Sequence, residues 1–267
     1  MRPGSVVLAG ALELLDTPGE WAVRDGIVYL WPLHPPTVLT SNGSAGLVVT
    51  APVRQQVFSF VGSGATPDTF TARITLAGLR VIGAGMPPLH VFGCVAKGIV
   101  DGRGSSEIPC NSTAGIPNTT PQSMAQGMVF TENAADIAVD RCALKGGGIS
   151  AVWLQERSMN ISVVNCLISD IAGHGVYLNG IGPNDTRFDS AAAADVNHGH
   201  NISGNTIVDG GKQLVLGSGV FLFQSGRNVI SHNTISRFPR DGVGFFGMCC
   251  HNWNAERAPT IPRYWGR

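Results

Sequence analysis

The sequence predicts an all-β solenoid, on three observations. A phrase recurs between Asn201 and Gly247: Asn205-Thr206-Ile207-Val208, then Gly219-Val220-Phe221-Leu222, then Asn233-Thr234-Ile235-Ser236, then Gly242-Val243-Gly244-Phe245. A looser copy precedes it, as Asn165-Cys166-Leu167-Ile168 followed by Gly175-Val176-Tyr177-Leu178. Glycine is abundant, at 35 residues, and charged residues make up only 13% of the chain, as many tight turns between short buried strands require. Self-similarity at this spacing describes stacked units that bury their apolar faces against one another.

Side chains in a strand alternate between faces. An interior Asn233 therefore predicts Val229, Ser231 and Ile235 inside, with His232 and Thr234 outside. Asn at a recurring point suits an internal side-chain ladder or a left-handed turn position. Aligning Ile137 with Ile161 pairs Cys142 with Cys166 at an offset of twenty-four. The offset from Asn165 to Asn205 grows to forty, because residues 182–200 interrupt the pattern, and Asn205 to Asn233 returns to twenty-eight.

Taken in order, the chain opens with Met1-Arg2-Pro3-Gly4 and a brief apolar run, closed by Glu13 and Asp16 before any cleavage site. It is read as starting inside a domain rather than with a signal peptide. Trp21-Ala22-Val23 and Ile27-Val28-Tyr29-Leu30-Trp31 flank Arg24-Asp25-Gly26, a hairpin signal. His34 to Ser44 is a loop by composition, and Val48–Val53 and Gln56–Phe60 read as strands entering the first coil. Residues 105–125 are an exposed polar loop, and coils resume at Gly127-Met128-Val129-Phe130. The expected organisation is a hairpin segment over 1–60, a solenoid over 61–248 and an irregular tail over 249–267, with Trp253 and Trp265 as candidate covers for the last coil.

The Asp16-to-Trp21 turn phrase, the Tyr29-Leu30-Trp31-Pro32 strand end, the Ala51-Pro52 segment and Ile74-Thr75-Leu76-Ala77-Gly78-Leu79-Arg80-Val81 together resemble the opening of right-handed parallel β-helix proteins of the pectin-lyase-like superfamily, notably those among the glycoside hydrolases. Gly98-Ile99-Val100-Asp101-Gly102-Arg103-Gly104 resembles a common turn phrase of such coils. The resemblance implies an all-β, right-handed parallel β-helix with an N-terminal β-hairpin insert, PbH1-type repeats and carbohydrate activity. In those relatives the hairpin follows earlier sequence, so this chain is expected to lack its true beginning.

Net charge is zero, which gives no electrostatic case for nucleic acid or an anionic membrane. No apolar run reaches the ~18–20 residues of a membrane helix. The six cysteines, Cys94, Cys110, Cys142, Cys166, Cys249 and Cys250, form no CxxC pair, against a zinc ribbon. Cys142 and Cys166 read as two small apolar side chains, with a disulfide as the alternative. Sequons at Asn42, Asn111, Asn118, Asn160, Asn184 and Asn201 point to a secreted or extracellular setting.

Hydrolysis of a sugar bond needs paired carboxylates; lyase or epimerase chemistry needs a base with a stabilising cation or metal. The densest polar collection is Asp170, His174, Asp185, Asp189, Asp195, His198, His200, Asp209, His232, Arg240 and Asp241. Asp170 and Asp209 follow strand ends at similar positions and are the candidate acid/base pair, with turn capping as the alternative. His174 lies in Gly173-His174-Gly175, a phrase that resembles one in polygalacturonases, although the rest of that catalytic set is missing. Arg240 in Phe238-Pro239-Arg240-Asp241-Gly242 is a candidate substrate clamp or the partner of Asp241. His232 is a candidate polar contact, and Tyr177 and Phe221 face outward by parity as candidate sugar platforms. Asp195 with His198-Gly199-His200 has a metal-like composition but reads as a solvated loop. No metal or cofactor is assigned. The expected function is glycoside hydrolysis by a monomer acting on a polysaccharide or oligosaccharide. The alternatives are a lyase or epimerase, or a non-catalytic glycan-binding scaffold.

Overall fold

The structure is a computed structural model that describes residues 12–32, 52–64, 66–85, 127–180, 195–213 and 217–246. It divides into two compact units, Met1–Ala51 and Pro52–Arg267.

In the first unit, strands β1 (Trp21–Arg24) and β2 (Ile27–Leu30) form the expected antiparallel hairpin, with Trp21 opposite Leu30 and Arg24 opposite Ile27. Asp25 and Gly26 both have positive φ, 52° and 76°, the two-residue turn whose twist matches the flanking strands. Glu20 fixes the approach: its carboxylate accepts the backbone N–H groups of Asp16 and Thr17, each at 2.9 Å.

The second unit is built from β3 (Phe58–Val61), β4 (Thr71–Ala77), β5 (Arg80–Ile82), β6 (Gly127–Asp140), β7 (Ala143–Lys145), β8 (Ser150–Met159), β9 (Ser162–Val164), β10 (Leu167–Ser169), β11 (His174–Asn179), β12 (Asn201–Ser203), β13 (Thr206–Val208), β14 (Val220–Phe223), β15 (Val229–Ser231), β16 (Thr234–Ser236) and β17 (Val243–Phe246). Every pairing among them is parallel. They fall into three columns. The first is β3, the front half of β6, β8, β11, β14 and β17. The second is β4, the rear half of β6, β9, β12 and β15, and the third is β5, β7, β10, β13 and β16. β6 serves two columns because its register shifts between Glu132 and Ala134, where Asn133 takes φ 48°. The chain visits the columns in the same sequence each time. The result is an all-β protein of curled parallel sheets, compatible with a solenoid.

The columns enclose a core that includes Val129, Ile137, Leu144, Val152, Leu154, Ile161, Val163, Ile168, Val176, Leu178, Ile202, Ile207 and Val220. Burying these side chains between successive strands is the main stabilising contribution, because no single circuit encloses its own apolar face.

On the four circuits from β6 onward, the corner between the second and third columns carries a left-handed residue: Arg141, Asn165, Gly204 and His232, with φ 49°, 54°, 68° and 56°. This corner corrects two expectations. Alternation does not carry across it, so Ile230 packs on the core while Val229 is 55% exposed, and Asn233 and Ile235 turn inward only after His232 resets the parity. Register also pairs Leu167 with Thr206, which sets Cys166, not Asn165, beside Asn205.

The residue after each left-handed corner forms the ladder. Cys142 N–H points to Cys166 Sγ at 3.4 Å, Cys166 N–H to Asn205 Oδ1 at 2.9 Å, and Asn205 N–H to Asn233 Oδ1 at 2.9 Å. Asn205 Nδ2 donates to Val163 O at 2.8 Å and Asn233 Nδ2 to Ile202 O at 2.7 Å. Side chains thus satisfy corner amides that strand pairing leaves over. Cys142 and Cys166 are buried free thiols, in keeping with two small core side chains. The other four cysteines, the turn phrase 98–104, the loop 105–125, Asp185, Asp189, Trp253, Trp265 and four of the sequons lie outside the described residues.

Candidate functional site

The connections from the third column back to the first gather most of the candidates. Asp170 follows β10, Asp209 follows β13, and Arg240 and Asp241 lie between β16 and β17. His174 opens β11 on the same edge. His232 does not join them: it is the left-handed residue of a different corner, between β15 and β16.

Asp170 and Asp209 sit at φ 56° and 58°, in a column continued by Arg237 at φ 57°. Asp tolerates this region because its short side chain bonds locally. Each carboxylate is held by cations from other circuits. Asp170 pairs with Lys212 at short range and with Lys145 at 3.2 Å. Asp209 accepts Arg237 Nε at 2.6 Å and a second Arg237 nitrogen at 2.7 Å, a two-pronged pair. These bonds hold both acids below the usual carboxylate range, Asp170 through Lys212 first and Asp209 through Arg237 first. A general acid needs the opposite, a carboxyl that keeps its proton near working pH.

On the sheet face opposite the core, Phe130, Trp153, Tyr177, Phe221 and Gly244 are successive register partners in β6, β8, β11, β14 and β17. Their alternation with the core residues Val152, Leu154, Val176 and Leu178 puts them there. Trp153 meets Tyr177 edge-on, with centroids 4.4 Å apart, and Tyr177 lies 5.4 Å from Phe221. Gly244 ends the ladder because a Cβ there would come within 2.8 Å of the Phe221 ring. Trp153 Nε1 and Asn179 Nδ2 both donate to Gln155 Oε1, at 2.8 and 2.7 Å, and Tyr177 Oη bonds Asn179 Oδ1 at 3.1 Å. The parity expectation for Tyr177 and Phe221 is right about the face and wrong about access, since both are 0% exposed. A platform for sugar must be open to solvent, and neither ring is.

His174 is fully buried, stacked 4.9 Å from Phe221 and 5.2 Å from Tyr177. Its Nδ1 accepts the Ser218 N–H at 3.0 Å, so the neutral ring carries its proton on Nε2. Burial first, and the Arg240 guanidinium second, push its pKa down to about 3. Nε2 has no hydrogen-bond partner, and neither have the buried Ser150 Oγ and Ser218 Oγ. A buried polar group left in that state costs roughly 1–3 kcal/mol. Arg240 stands over the Phe221 ring with Cζ 5.4 Å from its centroid, and its Nε meets Asp241 Oδ2 at 3.1 Å. These two side chains are charged and partly exposed, at 29% and 40%, as are Asp170 at 31% and Asp209 at 33%.

The His198–His200 segment differs from expectation. His200 is not solvated: it is 0% exposed, its Nδ1 accepts Ile161 N–H at 3.2 Å and its Nε2 meets Asn197 Oδ1 at 3.2 Å. Both ring nitrogens of His200 are thus committed to protein partners, and Asp195 is ion-paired to Arg227. Burial pushes the His200 pKa down to about 3.

Ser150, Ser218, Trp153, Gln155 and Asn179 were not singled out by sequence. A signal exists: Ser150-Ala151-Val152-Trp153-Leu154, His174-Gly175-Val176-Tyr177-Leu178 and Ser218-Gly219-Val220-Phe221-Leu222 align as a polar residue, a small residue, Val, an aromatic residue and Leu.

Compared with protein-family models, with curated proteins and with solved structures, the chain gives no significant match.

Proposed function

We propose that this chain is a right-handed parallel β-helix of the pectin-lyase-like kind and a carbohydrate-active protein that engages a polysaccharide along the edge between its third and first columns. The observation that carries the reading is convergence. Asp170, Asp209, Arg240 and Asp241 fall in the connections that follow β10, β13 and β16, and His174 opens β11 on the same edge. Arg240 and Asp241 are its sugar contacts. A planar guanidinium offers paired donors and a carboxylate paired acceptors, the match for neighbouring hydroxyls on a sugar ring.

The charge state favours binding over cleavage at this edge. Asp170 and Asp209 are ionised and committed to cations, which suits rigid positioning of a surface and not proton donation. Hydrolysis remains the reaction implied by the family resemblance, and one experiment reads both. The purified chain is run by affinity electrophoresis through neutral and acidic polysaccharides, with reducing ends and unsaturated products assayed in parallel. The expected result is retardation by at least one polysaccharide that weakens about tenfold, equivalent to ~1.4 kcal/mol, in Arg240→Ala and Asp241→Asn. No retardation by any polysaccharide overturns the reading, and retardation unchanged in both variants removes these two contacts. Release of reducing ends would replace binding with hydrolysis, and unsaturated products would replace it with a lyase.

A further inference from the structure

We propose that the buried starts of β8, β11 and β14 hold ordered water that links Ser150 Oγ, His174 Nε2 and Ser218 Oγ across three consecutive circuits. The three side chains are each 0% exposed. Ser150 and His174 are direct register partners, and the Ser218 N–H bonds the His174 ring. All three side chains present a polar atom that no protein group satisfies. One such atom is an ordinary irregularity; three on neighbouring circuits, at the first residues of β8 and β11 and just before β14, describe a site.

The chemistry selects the occupant. Because Nδ1 is an acceptor, Nε2–H is a donor, and whatever meets it must supply a lone pair. Serine hydroxyls both give and accept, so the occupant also needs to serve either role. Water does all of this, with two donors and two acceptors, and buried water typically makes about three bonds to such groups. Ammonium lacks the lone pair. The Tyr177 and Phe221 rings lie against the imidazole, with centroids 5.2 and 4.9 Å away. The linked water ties adjacent circuits together at the edge where Arg240 and Asp241 stand, and it does not depend on what that edge binds.

The test uses the full chain labelled with 15N. Long-range 1H–15N correlation is expected to show the His174 proton on Nε2, with a rotating-frame cross-peak from that proton to the water resonance. Urea unfolding then compares Ser150→Ala, Ser218→Ala and the double variant. A hydrated site loses a water contact in each, so both midpoints fall and the double variant falls by less than the sum. A proton on Nδ1, absence of the cross-peak, or a midpoint that rises because a dry hydroxyl has been removed would overturn the proposal. So would a His174 resonance that titrates with chloride or formate, which would make the occupant an anion. If a serine variant fails to fold, the cross-peak in the unaltered chain still decides.

Discussion

Lowering the pH from 7 to 5 should weaken the fold steeply, because two histidines are buried in the neutral state. His174 and His200 have pKa values pushed down to about 3 in the folded chain, against an ordinary value near 6.5. The sign follows from proton counting. Below 6.5 the unfolded chain binds a proton at each ring and the folded chain does not, so stability is full above pH ~6.5 and is lost as pH falls towards the folded value. Each histidine contributes about 1.4 kcal/mol per pH unit, so the pair costs about 4 kcal/mol between pH 7 and pH 5, a large part of a typical domain's 5–15 kcal/mol. Asp170 and Asp209 do not confuse this window, since their depressed values keep both ionised throughout it.

The control is His200→Asn. The His200 N–H itself bonds Asn228 Oδ1 at 2.9 Å, so asparagine already fills the equivalent place one circuit on. An amide oxygen at position 200 can accept the Ile161 N–H and cannot titrate. Urea unfolding at pH 7, 6 and 5, followed by tryptophan fluorescence, should show about half the slope in the variant, near 1 instead of ~2 kcal/mol per pH unit averaged over this range. Equal slopes in the two chains, or stability independent of pH in this range, would refute the assignment of buried neutral rings.

Two further outcomes follow from the ladder beside the core. Asn233→Ala strands the Asn205 N–H and the Ile202 carbonyl, and should lower unfolding free energy by about 2–4 kcal/mol in urea titration. An effect below ~0.5 kcal/mol would mean that the ladder carries no stability. Cys142 and Cys166 are buried thiols, and burial pushes Cys166 up to about 11, so iodoacetamide at mildly alkaline pH should modify neither until denaturant is added. Peptide mapping by mass spectrometry reads this directly, and native-state labelling of either residue would contradict the packing.

Much of the architecture was legible because it is written in local chemistry. The Asp25-Gly26 turn fixed the hairpin, and the recurrence of Asn205 at Asn233, with Gly-Val-x-hydrophobic at β11, β14 and β17, announced parallel stacking. The strand-end positions of Asp170 and Asp209 were legible too. Their partners were not, because Lys145, Lys212 and Arg237 arrive from other circuits. Parity failed at His232 for a related reason: one left-handed residue rotates the chain through a corner, and hydrophobicity does not record backbone rotation.

By itself, then, the sequence determined that short strands repeat, where the turns fall, and which side of the first-column strands meets the core, since these depend on neighbours along the chain. Only the tertiary structure decided that Tyr177, Phe221, His174 and His200 are sealed from solvent, that the two aspartates are held ionised, and that Arg240 and Asp241 stay exposed. Burial and charge pairing are set by atoms from separate circuits, and the distance between those atoms in space is not a function of their distance in sequence.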